Sequence, residues 1–594
     1  MRRGAAVLVM LVLALWCAAI ASAQTGSRFR PAATGTAGVV ATESPAASAA
    51  ALAALDAGGN AVDAAATAVF AMGVARPQSC GIGGGGFLVY RSRTGAARAL
   101  DFRETAPAAF REDSLTPPGL HKKFTGHLTV GVPGTVAGMA AALQRYGTFT
   151  LAQAMGPGEL YARKGVRVTG SLSQAMQANR DRIGLFPSTI RTYLKPDGSA
   201  YAEGETLRQP ELGATYRRIM REGVGAFYGG EIARAIVRDM RAPRPATKDA
   251  GLLTVKDFAG YKAVWRDPIR STYRERTIIG MPPPSSGGIA IAEMLGILQN
   301  FDLTASGQSS ADTLHRIIEA QKIAWADRGR FVADPDVIPQ PTATLISSGY
   351  TKARAAEILP TLARQYAPGP IEPPARPEES TTHISVMDAG GNAVAVTCTV
   401  EQEFGSAVVA PGTGILLNNE LTDFGNPGTA NAPGPGKRPR SSMAPTIVVQ
   451  PGGRPTLVVG GAGGARIIMG VLNTIVQSVD FDQPIDQALD APRLDAMNGE
   501  GGRVEIEDDR IPEATLAELE RRGHKLQRLG EYAIRPRVNA VGMVPARPGV
   551  PPEETTGRLA ASDPRTDDAA VAQRERGRVP DTAPTAPAPA RAGR

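Results

Sequence analysis

Apolar positions change their period along this chain near residue 380. Before that point helical spacing prevails. Residues 45–73 read as two Ala-rich helices separated by Asp56-Ala57-Gly58-Gly59-Asn60, whose glycines can end the first. Between residues 130 and 380, helical patterns alternate with Pro/Gly-rich loops such as Pro282-Pro283-Pro284-Ser285-Ser286-Gly287-Gly288. One early strand, Phe87-Leu88-Val89-Tyr90, follows Cys80-Gly81-Ile82-Gly83-Gly84-Gly85-Gly86. Gly81, Gly83 and Gly86 have dinucleotide-fingerprint spacing, but that fingerprint needs glycines between a strand and a helix. Here they precede a strand, which predicts a close-packed turn. After residue 380 strands dominate: 382–387, 393–400, 446–449 and 456–459. A late helix is expected from Pro512 to Gly523, with Pro early and Gly just past its end.

The change of period has a chemical side. Residues 367–377 form a Pro-rich stretch that predicts an exposed linker, and it runs into Ser380-Thr381-Thr382-His383. Asp388-Ala389-Gly390-Gly391-Asn392 has hairpin-turn composition. Residues equidistant from Gly390 then face each other, which sets Thr381 opposite Thr399. One face of this hairpin carries Thr381, His383, Ser385, Thr397 and Thr399; the other carries Ile384, Val386, Val394 and Val396. Threonine at a strand start usually reflects β-propensity alone. A polar face ending in two opposed threonines is a candidate site.

Composition narrows the class. The formal charge is +8, yet Lys and Arg are scattered and no basic stripe with interleaved aromatics occurs, so nucleic acid is not an expected partner. Arg2 and Arg3 precede an apolar run from Ala5 to Ile20, then Ala21-Ser22-Ala23 before Gln24, which predicts a cleaved leader over 1–23 and a periplasmic or secreted protein. The run is short for a span, and no other segment is apolar enough to be one. Cys17 lies in the leader, leaving Cys80 and Cys398, whose pairing stays open. Residues 570–594, rich in Ala, Pro and Arg, predict a disordered tail. Neither HExxH nor GxSxG occurs, so a zinc protease and an α/β-hydrolase elbow lack support.

The stretch Thr381-Thr382-His383-Ile384-Ser385-Val386 resembles the start of the small subunit of the gamma-glutamyltransferases, which belong to the N-terminal-nucleophile hydrolases. Further similar stretches occur in order over roughly residues 35–569: Asp101-Phe102-Arg103-Glu104, Gly131 to Gly138, Pro282 to Gly288, Gly414 to Asn419, Lys437 to Met443, Gly463-Gly464-Ala465-Arg466 and Ala561 to Arg565. The resemblance implies an α+β, four-layer αββα sandwich. It implies a precursor that cuts itself between Ser380 and Thr381 into a large chain, 24–380, and a small chain, 381–569, which stay associated around one core. By spacing alone, Ser380 or Thr382 could also begin the product chain; the resemblance selects Thr381. Cleavage frees the threonine's α-amine, whose ordinary pKa of about 7.7–8.0 suits a base for a poor hydroxyl nucleophile.

Carried over position by position, Thr399 is the hydroxyl that bonds the nucleophile, and Gly463 and Gly464 supply oxyanion-hole N–H groups. Arg103, Ser441 and Ser442 clamp the substrate carboxylate, and Glu401, Glu420 and Asp423 hold its ammonium. The implied donors are glutathione and other γ-glutamyl compounds, the acceptors water, amino acids or peptides, with neither organic cofactor nor metal. Taken singly, most of these residues would read as solvated surface groups or an ordinary Gly turn. Two departures stand out. Glu401 replaces an Asn common in the family, which makes the ammonium pocket more acidic and disfavours the glutaryl substrates of related cephalosporin acylases. The stretch Gly425–Gly434 is short and has no aromatic residue, so an open, lidless cleft is expected. The competing class is a non-cleaving binding protein, whose signature would be loss of Thr381, Thr399 or the glycine pair.

Overall fold

The computed structural model describes residues 29–115, 124–242, 250–367, 379–497, 502–544, 557–565 and 569–573. The predicted leader, the linker from residue 368 onward and residues 574–594 lie outside them. Fourteen strands form two large sheets. In chain order they are β1 (Ala33–Gly35), β2 (Val39–Thr42), β3 (Gly85–Arg91), β4 (Ala97–Asp101), β5 (Val264–Arg266), β6 (Ile269–Tyr273), β7 (Arg276–Gly280), β8 (Glu379–Met387), β9 (Ala393–Gln402), β10 (Thr446–Val449), β11 (Pro455–Ala462), β12 (Arg537–Met543), β13 (Arg558–Ser562) and β14 (Ala569–Ala572). One sheet has the order β1-β13-β12-β11-β10-β7-β6, the other β14-β2-β8-β9-β3-β4-β5, and every pairing is antiparallel.

Strand alternation builds the layers. Val39, Ala41, Phe87, Val89, Ala393 and Ala395 join one core with the other sheet's Ile278, Ile447 and Val458. Their neighbours Val40, Leu88, Tyr90, Val394 and Val396 join the opposite core, against helices α1 (Pro45–Asp56) and α2 (Ala61–Ala75). Helices α3 (Gly287–Leu298), α4 (Ala311–Phe331) and α5 (Arg466–Asp480) cover the first sheet. The result is the expected αββα sandwich. The two Ala-rich helices start where capping chemistry dictates: Ser44 accepts from the Ala47 amide, with Pro45 next to it. Asn60 forms a capping box with Asp63. The late helix runs from Glu513 to Arg521, with Pro512 at its N-cap and Gly523 at φ +95° beyond its end.

One expectation is corrected. The tail was expected to start at residue 570, but Ala569–Ala572 pairs with β2. Ala-Ala-Val-Ala carries none of the Pro and Arg of the later tail, and the open edge of β2 offers unpaired backbone groups for it to join. No helix among the described residues is long and apolar enough to cross a membrane. Cys80 and Cys398 are disulfide-bonded, joining the glycine turn to β9.

Candidate active site

The β8–β9 hairpin has the register its turn composition predicts: Thr381 lies opposite Thr399, His383 opposite Thr397 and Ser385 opposite Ala395. Its polar face points between the sheets. The Ser385 hydroxyl reaches carbonyls of the first sheet, Val458 at 3.1 Å and Asn539 at 3.2 Å. His383 fits there because β11 offers no side chain at Gly460, where a Cβ would stand 2.3 Å from the imidazole. The ring bonds the Thr397 hydroxyl at 2.8 Å and the Ser385 hydroxyl at 2.9 Å. Burial pushes its pKa down to about 3, so it is neutral and serves as a strut.

At the open end of this face, the Thr381 and Thr399 hydroxyls are 3.3 Å apart, and both residues are buried. The Thr399 hydroxyl accepts the Glu401 N–H at 2.8 Å. Glu401 holds a left-handed φ of +77° to make that bond, a conformation costing a non-glycine residue about 1–2 kcal/mol. The glycine turn presses on the same strand: a Cβ on Gly84 would lie 1.9 Å from the Thr399 carbonyl oxygen. Of the glycines with fingerprint-like spacing, Gly83 and Gly86 are likewise needed for close approach, a Cβ lying 2.0 Å from the Leu416 carbonyl oxygen and 2.2 Å from that of Thr397, whereas one on Gly81 would meet nothing within 4 Å.

Gly463 and Gly464 follow β11 and lead into α5, with φ of +119° and +58°. Their neighbour Ala462 pairs with Arg537, whose guanidinium donates to the Thr381 carbonyl at 2.9 Å. The glycine pair therefore sits one residue from a strand position tied directly to Thr381. Ser441 is held by the Pro282–Gly288 loop: its N–H donates to the Pro284 carbonyl at 3.0 Å and its carbonyl accepts the Ser286 N–H at 2.7 Å. The Ser442 hydroxyl accepts from Arg328 at 2.9 Å.

Arg103 is buried and joins what sequence reading separates into two pockets. It forms ion pairs with Glu420 and Asp423 and donates to the carbonyls of Pro439 at 3.2 Å and Arg440 at 3.1 Å. The residues expected to clamp a carboxylate and those expected to hold an ammonium thus share one guanidinium. Glu104 is the member that sequence reading left without a role. It is buried behind Arg103, and neither of its oxygens has a hydrogen-bond partner among the described residues. Burial pushes the carboxyls of Glu104 and Glu420 upward against the pull of Arg103, and the charge of Glu104 adds to the rise at Glu420. Its only sequence signal is adjacency to Arg103. Asp423 keeps contact with solvent, its side chain being 22% exposed. The short loop beyond it is pinned down, with the Asn431 amide donating to the Asp423 carbonyl at 2.7 Å and the Arg440 N–H donating to Asn431 at 2.8 Å.

Away from the hairpin, His315, Glu319 and His524 present ligand-type atoms within 4.8 Å of one another. Their bonds close without an ion: His315 bonds His524 and the Leu359 carbonyl, both at 2.8 Å, and the Lys322 ammonium lies 2.7 Å from Glu319. The cluster carries its own cation.

The profile of the Gamma-glutamyltranspeptidase family matches residues 47–573. The chain is 41% identical over 455 residues to a glutathione hydrolase proenzyme of Escherichia coli (strain K12), spanning 74% of this chain and 77% of that protein. It is 38% identical over 507 residues to the acylase ACY 1 proenzyme of Pseudomonas sp. (strain V22), spanning 84% and 88%. Among solved structures it is similar to the cephalosporin acylase from Bacillus halodurans, with a TM-score of 0.82 and 29% identity over 92% of this chain and 97% of that one. A profile match over most of the chain and two relatives this similar make the conclusion plain: this chain belongs to the gamma-glutamyltranspeptidase family.

Proposed function

We propose that the protein is an autoprocessing gamma-glutamyltransferase and glutathione hydrolase that passes a γ-glutamyl group through a Thr381 ester to water or to an amino acid or peptide. Processing between Ser380 and Thr381 divides it into a large chain, 24–380, and a small chain that begins at Thr381 and includes β14. The freed α-amine takes the proton of the Thr381 hydroxyl, which attacks the γ-carbonyl. The Thr399 hydroxyl holds the nucleophile in place, and the Gly463 and Gly464 N–H groups receive the oxyanion. The amine then returns its proton to the leaving group, and water or an acceptor amine resolves the ester. One oxyanion donor is worth about 10²–10³ in rate.

The observation carrying the donor class is a surplus of acid. Arg103 meets Glu420 and Asp423 directly, with Glu104 and Glu401 beside them. Even with Glu104 and Glu420, whose carboxyls burial pushes upward, left out of the count, Asp423 and Glu401 outnumber Arg103, and a substrate ammonium supplies the missing cation. The α-carboxylate then lies toward Arg103, Ser441 and Ser442. A glutaryl group brings no cation, so this reading is favoured over that of the acylase relatives. The test compares γ-glutamyl and glutaryl anilides bearing the same leaving group. Preference for γ-glutamyl by at least about tenfold in kcat/KM is expected, one desolvated charge contact being worth 1.4 kcal/mol or more. Equal rates, or faster glutaryl release, contradict it. The short Gly425–Gly434 loop supports an open cleft that admits γ-glutamyl oligomers, and the leader supports export to the periplasm or medium.

A further inference from the structure

We propose that Arg537 is a positioning residue for the Thr381 nucleophile, acting through the Thr381 carbonyl and anchored by Glu43. The inference rests on the reading of Thr381 given above. Arg537 donates one guanidinium N–H to the Thr381 carbonyl at 2.9 Å and another to Glu43 at 2.7 Å. Glu43 is wholly buried just after β2; it also accepts the His383 N–H at 3.3 Å, and Arg76 at the end of α2 stands 3.2 Å away. Arg537 opens β12 opposite Ala462, the residue before Gly463. A Cβ on Gly463 would lie 2.7 Å from the carbonyl oxygen of Arg535, two residues earlier. One planar fork therefore links the nucleophile's backbone to the strand that leads into the glycine pair.

Two effects follow. The first is geometric. In the precursor Thr381 is held from both sides by the chain; after cleavage its N-terminal side has no covalent tether. The Arg537 bond then fixes the peptide plane that sets the hydroxyl and amine relative to the glycine N–H groups, and a misplacement of about 1 Å costs about 10² in rate. The second is electrostatic. A guanidinium on the Thr381 carbonyl lies within about 4–6 Å of the new amine, a range at which a like charge disfavours the ammonium and preserves the base. The other charged groups around the nucleophile are Glu43 and Arg76 behind the carbonyl and Glu401 beyond Thr399; His383 is neutral. Loss of Arg537 leaves Arg76 as one cation beside the two anions Glu43 and Glu401, where the wild type balances two against two. Loss of Arg537 therefore raises the amine pKa.

The experiment measures processing by mass, then kcat, KM and the pH profile of kcat/KM with a γ-glutamyl anilide, for wild type, Arg537→Gln and Arg537→Lys. The glutamine variant should lose about tenfold to hundredfold in kcat with little change in KM. Its acid limb should move up by about half to one pH unit, and lysine, which keeps the charge, should restore the limb. A processed Arg537→Gln protein with wild-type kcat and an unmoved acid limb overturns the inference, as does a loss confined to KM. If that variant yields no processed protein, Glu43→Gln takes its place: lowered kcat supports the anchor and unchanged kcat refutes it. Wild-type protein that turns over no γ-glutamyl donor sinks the functional reading itself, an outcome distinct from any variant result.

Discussion

The two halves of the site are built in opposite ways. The nucleophile half is local: Thr381 and Thr399 face each other because a short turn closes a hairpin whose alternation is written in consecutive residues. The substrate half is assembled from afar. Arg103 comes from just after β4, while Glu420 and Asp423 lie more than three hundred residues later in sequence, and Glu104 sits behind them without a donor of its own. The first half is neutral hydroxyls in a rigid ladder. The second is a charged cluster that, on the proposed reading, a substrate ammonium balances. The contrast teaches that catalysis and recognition fail separately here, and variants can be chosen to make them do so.

The largest effect is expected in the local half. Thr399→Val keeps the β-branched shape but removes the hydroxyl that faces Thr381, and kcat should fall by about 10²–10³ with KM nearly unchanged, as for loss of one transition-state donor. A matching rise in KM would mean the two halves are not separable. Next comes the clamp between them. The Cys80–Cys398 bond joins the glycine turn to the residue before Thr399 and spans the proposed cleavage point. Processed protein should therefore run as one band on a non-reducing gel and as two after reduction. The Cys80→Ser, Cys398→Ser double variant should lose about 2–4 kcal/mol in urea unfolding. Separation of the chains without reductant contradicts the bond.

In the distant half, Asp423→Asn should raise KM for a γ-glutamyl anilide about tenfold to hundredfold while kcat changes less, and should narrow the preference over a glutaryl anilide. Equal losses for both donors would show that Asp423 does not read the ammonium. The smallest effect concerns the strut. His383 is pushed down to about 3 in the folded state, below its ordinary value of about 6.5. Between those values the unfolded chain binds the proton more readily, so stability is fully present above about 6.5 and declines as pH falls toward 3. The slope from this group is at most about 1.4 kcal/mol per pH unit. Urea unfolding between pH 7 and 4 should show the decline, shallower in His383→Asn; parallel slopes would refute a buried neutral ring.

What could be read from sequence follows the same division. The hairpin register, the α1–α2 break and the late helix obey local rules of turns, caps and alternation, and the structure has them where those rules place them. The glycine run could be recognised as a turn, yet that Gly84 makes room for the Thr399 carbonyl depends on a strand some three hundred residues away. Arg103, Glu420 and Asp423 were singled out through family resemblance; that Arg103 is engaged by both acids follows only from tertiary packing. Glu43 and Arg537 were not singled out at all. One follows a short strand and the other stands in Arg535-Pro536-Arg537, and each alone resembles a solvated charge. Strand β14 was missed because a four-residue edge segment ahead of a Pro-rich tail carries almost no periodic signal.

The most direct test of the account is intact mass of purified wild-type protein under reducing conditions, beside Thr381→Ala. Two wild-type fragments divided between Ser380 and Thr381, with the variant remaining whole, are the result predicted here. A wild-type chain that stays uncut after prolonged incubation, or a variant that is cut at the same bond, would contradict Thr381 as the nucleophile.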